Sequence, residues 1–284
     1  MTERPRIAFQ GEPGANGDEA CRTYFPDYEP TPHAAFEDAF DAVRRGDCAL
    51  ALIPVENSIA GRVADVHHLL PSSGLRIIGE RFKPIRFQLM ANPGVRLEDV
   101  TTVVSMPIAL GQCRRALRRL GVRTEPFGDT AGAAKALAER PDPKRAAIAP
   151  ALAAKLYGLT ILLADIDDET YNTTRFLVMS ADPNPPSPPD GAACVTSFTF
   201  RVRNIPAALY KALGGFATNG VNMTKLESYM ENGAFTATFF YSEVDGRPED
   251  APLGRALEEL SYFSDHFEVL GVYEGDPFRR RPSA

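Results

Sequence analysis

Tryptophan is missing altogether from this 284-residue chain, and cysteine and histidine occur only four times each. The cysteines (Cys21, Cys48, Cys113 and Cys194) are scattered, with no CxxC pair. They read as buried reduced thiols rather than as a disulfide frame or a metal site. No two of His33, His67, His68 and His266 are spaced i,i+4, and no His-ligated metal is expected. Long apolar runs are lacking too. The longest, roughly Cys48 to Val55, is far too short to span a bilayer. The first six residues are charged and broken by Pro5, without the apolar core of a secretory signal, and the expectation is a cytoplasmic protein. Excess positive charge is absent as well: 31 Lys and Arg face 37 Asp and Glu, a formal charge of −6. That balance argues against nucleic acid or an anionic membrane as partner, while leaving room for a local anion pocket. No Walker loop or dinucleotide fingerprint occurs.

What is present is ordinary globular composition, 44% hydrophobic and 24% charged, enough for two domains. One boundary is plain. Asp182 to Gly191 carries five prolines, and proline supplies no N–H and clashes with the preceding turn, so neither helix nor central strand fits there. The segment reads as a stiff, extended linker.

Before the linker, short apolar runs alternate with amphipathic stretches. Strands are predicted at Arg6 to Gln10, Ala49 to Val55, Arg76 to Arg81, Arg86 to Ala91, Thr101 to Val104, Ala146 to Ala149, Thr160 to Ala164 and Arg175 to Met179. Helical spacing is found at Phe36, Phe40 and Val43, at Val63 to Leu70, and at Ala109 to Leu120, closed by Gly121. It recurs at Ala133 to Ala138 and at Ala151 to Tyr157, closed by Gly158. This alternation predicts an α/β domain with mostly parallel sheets, in which ligands bind beyond the carboxyl ends of the strands. After the linker the order becomes β-α-β-β-α-β, the ferredoxin-like arrangement, with a hairpin turn at Glu231-Asn232-Gly233. A single open sheet with helices on one face is expected to expose the other. Phe-rich alternation there suggests self-association.

Polar clusters follow the predicted strands of the first domain. Gly11 to Asn16 is a turn into a helix whose free N–H groups can bind an anion, or simply a strand-to-helix connection. Glu56-Asn57-Ser58 precedes Gly61, where Ser58 can also be a helix cap. Ser105 can cap the helix that carries Gln112, and Asn172-Thr173-Thr174-Arg175-Phe176 enters a buried strand, where a hydroxyl beside an arginine can be plain surface.

Together these clusters resemble, in order and spacing, the motifs of prephenate dehydratases: Gln10 to Ala20, Pro54 to Gly61, Ser105 to Cys113, Asp129 to Ala131 and Asn172 to Leu177. The part after the linker resembles the ACT regulatory domain that follows the catalytic domain in that family. The resemblance implies α/β architecture throughout: a two-lobed, type 2 periplasmic-binding-protein-like catalytic domain at 1–181, a linker at 182–193, a ferredoxin-like (βαββαβ) ACT domain at 194–275 and a tail at 276–284. It implies decarboxylation and dehydration of prephenate to phenylpyruvate in phenylalanine biosynthesis, with no cofactor and no metal. Thr174 would carry the catalytic hydroxyl and Arg175 would hold a carboxylate. Asn57, Ser58, Ser105, Gln112, Thr130 and Phe176 would line the cleft, with the Thr-Arg and Asn-Ser pairs on opposite walls. Phenylalanine would act as effector at Ala207, Ala208, Leu209, Glu227 and Ser228 of a homodimer or homotetramer. Two departures stand out. Met106 and Ile108 replace the polar side chains of the family's Ser-His-Pro-Gln motif and are left out of the site, and Ala207 stands where glycine is usual. Arogenate as substrate, or a binding module that senses a small anion without turnover, remain open on the sequence.

Overall fold

A computed structural model of the chain describes residues 4–230 and 237–280. The predicted turn at Glu231-Asn232-Gly233 lies outside the described residues. By contact density the chain forms two units: one takes in the chain up to Val66 together with Arg81–Phe176, the other His67–Glu80 together with everything from Leu177 onward.

The elements run in order as β1 (Arg6–Gln10), α1 (Asn16–Tyr24), β2 (Glu29–His33), α2 (Phe36–Arg44), β3 (Leu50–Asn57), β4 (Gly61–Arg62), α3 (Ala64–Leu69) and β5 (Arg76–Pro84). Then come β6 (Gln88–Ala91), β7 (Thr102–Ser105), α4 (Pro107–Gln112), α5 (Arg114–Leu120), β8 (Arg123–Pro126), α6 (Thr130–Glu139), β9 (Arg145–Ala149), α7 (Ala151–Tyr157), β10 (Thr160–Leu163) and β11 (Thr173–Ser180). The remainder is β12 (Cys194–Val202), α8 (Ala208–Thr218), β13 (Met223–Met230), β14 (Ala237–Asp245), α9 (Ala251–Phe263) and β15 (Ser264–Glu274). Residues 181–193, the proline-rich stretch, hold neither helix nor strand.

The first unit is two-lobed. One lobe is built on the sheet ordered β2-β1-β3-β11-β5, the other on β10-β6-β9-β7-β8. β1 pairs in parallel with β2 and β3, and β7 in parallel with β8 and β9, while β6 pairs antiparallel with β9 and β10. The expected two-lobed α/β architecture is thus what the chain adopts. Each lobe has its own apolar filling. In the second lobe Leu89, Val103, Ile148, Cys113 and Leu117 are buried together. The helix expected over Ala109 to Leu120 is divided at Cys113 into α4 and α5, and the Gly121 cap is left-handed as expected. Edge strands β2 and β8 were not anticipated. β2 reads Glu-Pro-Thr-Pro-His, and prolines are tolerated there because one side of an edge strand needs no ladder donor.

In the second unit the sheet order β13-β14-β12-β15, antiparallel throughout, fits a small ferredoxin-like domain. Phe198, Phe200 and Phe240 turn toward α8 and α9, where Phe198 stacks on Phe216 and Phe200 on Phe240. Phe198, Phe200 and Phe240 therefore fill the core, while Phe239 lies on the other face, its ring beside those of Tyr229 and His266. Nor is the opposite face open, as the sequence suggested. Ser197, Thr199, Tyr241, Glu243 and Tyr273 point there and are all buried. The segment 67–80 covers part of it: a side chain at Gly271 would collide with the backbone of Ile77.

That covered face holds charge. Glu80 and Glu243 are fully buried and share Arg279, whose guanidinium lies 2.9 Å from a carboxylate oxygen of each. The Asp276 N–H donates to Glu80, Tyr241 Oη donates to Glu243 at 2.6 Å, and Ser197 joins Tyr241 to Tyr273. Removing one partner from such a group strands the others in low dielectric. Arg279→Ala is expected to lower unfolding free energy by about 3 kcal/mol, read from urea denaturation. A loss near zero would mean that water reaches both carboxylates.

Candidate active site

The clusters expected to carry chemistry fall at two places in the two-lobed unit: Asn57, Ser58, Gln112 and Thr174 meet at one, and the glycine-rich turn and Asp129 line a cleft that none of those four residues borders. β3 ends at Asn57 where β11 begins, so the two strands meet antiparallel: the Ser58 N–H donates to the Thr173 carbonyl, and the Thr173 N–H donates to Ser58 Oγ, each at 2.9 Å. Ser58 Oγ in turn donates to the Tyr171 carbonyl. Ser58 is thus a clamp between strands.

Successive residues of a strand face opposite sides, and this sorts the motif residues into two sets. On one side Asn57 Nδ2 donates to Thr174 Oγ1 at 3.0 Å and to Asn172 Oδ1 at 2.8 Å. On the other, buried Arg175 pairs with Glu56 at 3.0 Å, its guanidinium 5.9 Å from the Phe82 ring centroid. Thr174 and Asn57 therefore stand side by side on one sheet, not on opposite walls as the sequence suggested. Arg175 is turned away from Thr174 into an ion pair, and Phe176 is buried in the core. The geometry gives Arg175 a supporting place behind the hydroxyl.

The second lobe reaches this point through Gln112, at the end of α4. Its Nε2 donates to Asn57 Oδ1 and its Oε1 accepts from Asn172 Nδ2, both at 3.2 Å. Asn172 Nδ2 also donates to Asp167, whose other oxygen accepts the Phe87 N–H at 2.8 Å. Burial pushes the Asp167 carboxyl above the usual carboxylate range, opposed by those two donors. Asn172 opens a motif read from the sequence but was not assigned to the site, and Asp167 was not picked out. An asparagine three residues before an arginine, and an aspartate in Asp165 to Glu169, carry no spacing signal that separates them from loop polarity.

Two other expected residues are placed differently. Ser105 is fully buried, and its hydroxyl donates to the Ile148 carbonyl at 2.7 Å, tying β7 to β9. Thr130 opens α6, behind Asp129, whose carboxylate caps the helix through the Gly132 N–H. Ile108 is half exposed on α4, and Met106 packs against the lobe's core.

Between the lobes lies a cleft of about 620 Å³, with Gln10, Gly11 and Glu12 on one wall and Asp129, Gly132 and Lys135 on the other. Lys135 reaches across to Glu12 at 2.9 Å. Burial, with the Glu12 charge adding to it, raises the Asp129 carboxyl. The glycine-rich turn after β1 fits tightly here. The Gly14 N–H is held by the buried Asp18 carboxylate, and Tyr157 Oη donates to the Pro13 carbonyl. Gly14 has φ +89°, and a Cβ on it would stand 2.9 Å from the Ala153 backbone of the other lobe. Thiols play no visible part: Cys21, Cys48 and Cys113 are buried and unpaired, and burial raises all three. Among the described residues no group of three or more His, Cys, Asp or Glu is placed to hold a metal, and no helix is long and apolar enough to cross a membrane.

The family profile for prephenate dehydratase matches residues 7–184. The chain belongs to the prephenate dehydratase family. A "Bifunctional N-acyl-homoserine lactone acylase/prephenate dehydratase" of Komagataeibacter europaeus is 49% identical over 97% of this chain and 98% of its own. "Arogenate dehydratase/prephenate dehydratase 2, chloroplastic" of Arabidopsis thaliana is 37% identical over 96% of this chain and 74% of its own. Among solved structures, the prephenate dehydratase of Arthrobacter aurescens in complex with L-Phe superimposes with a TM-score of 0.88 at 30% identity, covering 98% of this chain and 92% of that one. Thr174-Arg175-Phe176 falls within the matched residues, with the Thr174 hydroxyl on the Asn57 side of the strand.

Ala207 precedes α8 with φ +60°, in the left-handed region that favours glycine. Leu209 packs against the domain core with Ala208. Glu227 pairs with Lys225 at 3.2 Å on the face away from α8, and Ser228 is exposed on the edge strand β13. Within one chain Ala207 to Leu209 lie at the start of α8, which follows β12, whereas Glu227 and Ser228 lie on β13, with β14 between β12 and β13.

The cleft geometry yields an expected outcome. Gly14→Ala forces a Cβ against Ala153 at a positive φ and should destabilise the protein by about 1–3 kcal/mol, seen as a lower urea midpoint. An unchanged midpoint would show that the turn and α7 separate freely.

Proposed function

We propose that this chain is a prephenate dehydratase: it removes carboxylate and hydroxide from prephenate to give phenylpyruvate. The observation that carries this reading is the hydroxyl of Thr174. Its oxygen accepts a hydrogen bond from Asn57 Nδ2, which leaves the hydroxyl's own hydrogen free to donate. In the reaction the carbon–carboxylate bond breaks to release CO2, its electron pair makes the ring aromatic, and the carbon–oxygen bond opposite breaks. The departing oxygen carries off that bonding pair. A hydrogen bond aimed at it from Thr174 stabilises the charge that develops, and proton delivery completes water. Aromatisation supplies the driving force, so the residues need only orient the departing groups. Arg175, tied to Glu56, fixes the strand that presents Thr174. Asn57, itself bonded to Gln112, holds its lone-pair side, Ser58 clamps the strands, and Ser105 and Thr130 support the second lobe from within.

The division that goes with this reading is a catalytic part at 1–181, a linker at 182–193, an ACT regulatory domain at 194–275 and a tail at 276–284, in a cytoplasmic homodimer or homotetramer. Phenylalanine would bind the ACT part at Ala207 to Leu209 together with Glu227 and Ser228 of a second copy. To act on the cleft it must favour one arrangement of the assembly over another. The relatives named above leave arogenate as an alternative substrate. The 49% identical relative supports a second reading, hydrolysis of an N-acyl-homoserine lactone.

The deciding assay follows phenylpyruvate formed from prephenate at neutral pH, with arogenate and an N-acyl-homoserine lactone run beside it. Thr174→Val should lower kcat by about 10²–10⁴ with the fold intact by circular dichroism, and near-parental turnover would remove Thr174 from its role. Adding phenylalanine to the same assay, with sedimentation alongside, should change both rate and mass. If neither changes, the regulatory assignment fails.

A further inference from the structure

Three side-chain amides around Thr174 form a closed ring. Asn57 Nδ2 donates to Asn172 Oδ1, Asn172 Nδ2 to Gln112 Oε1, and Gln112 Nε2 to Asn57 Oδ1. Such a head-to-tail ring can run in either sense, because each amide can exchange its oxygen for its nitrogen by a half-turn. The two senses are not equivalent for chemistry. In the observed sense Asn57 presents N–H to Thr174. In the reverse it would present its oxygen, Thr174 would donate to it, and the hydroxyl hydrogen would be used up.

What selects the sense lies outside the ring. At Asn57 the Ile59 and Ala60 N–H groups donate to Oδ1, at 3.0 and 2.8 Å, and the Thr173 carbonyl lies 3.3 Å from Nδ2. At Asn172 the selector is Asp167. A carboxylate accepts only, and one oxygen is already engaged by the Phe87 N–H, so the other takes Asn172 Nδ2. Asn172 is fully buried, with no water to substitute for a mismatched partner.

We propose that Asp167 and Asn172 are positioning residues that, with the Ile59 and Ala60 N–H groups at Asn57, lock the direction of this ring and so keep Thr174 a hydrogen-bond donor. The proposal deepens the dehydratase reading and rests on it for its kinetic consequence. Neither residue touches substrate; each acts through Gln112 and Asn57.

The test separates polarity from packing. Asn172→Asp places a carboxylate opposite Asp167 and opposite Gln112 Oε1, so both stability and turnover should fall. The exchange Asp167→Asn with Asn172→Asp restores a donor and an acceptor between these two positions, and the new amide oxygen can still accept the Phe87 N–H. It does not restore a donor to Gln112 Oε1. The exchanged protein should therefore regain most of its Tm, yet keep a kcat about tenfold or more below the parent with little change in KM. A merely structural role predicts the reverse, recovery of kcat along with Tm, and that result overturns the proposal. Side-chain amide NMR of Asn57 and Gln112 supplies a second readout that needs no turnover. These resonances should move in the exchanged protein, and unmoved resonances overturn the proposal even if the parent fails to convert prephenate. That last failure alone would count against the dehydratase reading and leave the NMR result to judge the ring.

Discussion

The antiparallel meeting of β3 and β11 is the constraint on which the candidate site depends. Asn57 ends one strand and Thr173 begins the other, joined by reciprocal bonds through Ser58. This pairing joins residues more than a hundred positions apart and sets Asn57 against Thr174. It also fixes what each neighbour can do, since alternation sends Glu56 and Arg175 to the opposite side. There, paired charges are shielded by Phe82 and hold the strand from behind. A one-residue slip would exchange the two sets and put an ion pair where the hydroxyl stands.

Much of the architecture was legible in the sequence because it rests on period and punctuation. Strands such as Ala49 to Val55 are continuous apolar runs, and helices such as Ala151 to Tyr157 end at a glycine that adopts the left-handed region. The edge strands were not legible, because β2 and β8 are polar or proline-bearing and owe their extension to a neighbour. The division of α4 from α5 at Cys113 was equally hidden. It turns the chain so that the Gln112 carbonyl accepts the Asp168 N–H, a tertiary bond with no local signal.

The site was legible as a set of residues but not as an arrangement. Adjacent Thr174 and Arg175 suggested joint work on one ligand, and pleating forbids it. Ser105 had the composition of a ligand contact, but its hydroxyl is committed to Ile148 between strands. In the C-terminal sheet the same confusion arose between faces. The phenylalanines of β12 and β14 looked like a surface for association, whereas Phe198, Phe200 and Phe240 fill the helix side and the other side carries Phe239 and the buried Glu243. Alternation reveals that two faces differ. It does not reveal which is covered, because the cover here comes partly from segment 67–80, far away in sequence.

The position of the amide ring ties its chemistry to the lobes. The chain passes from one lobe to the other twice, between β5 and β6 and between β10 and β11. These crossings are bonded to each other: the Ile85 N–H donates to the Asn172 carbonyl, Arg86 to the Thr170 carbonyl, and the Phe87 N–H to Asp167. Asn172 and Asp167 are therefore part of the hinge, Asn57 belongs to the first lobe and Gln112 to the second. A ring with members on all three cannot stay closed while the lobes change their separation at that point. Asn57 is oriented within its own lobe by the Ile59 and Ala60 N–H groups, and Gln112 ties it to the second lobe, so the surroundings of the Thr174 hydroxyl are assembled from segments that no single stretch of the chain contains.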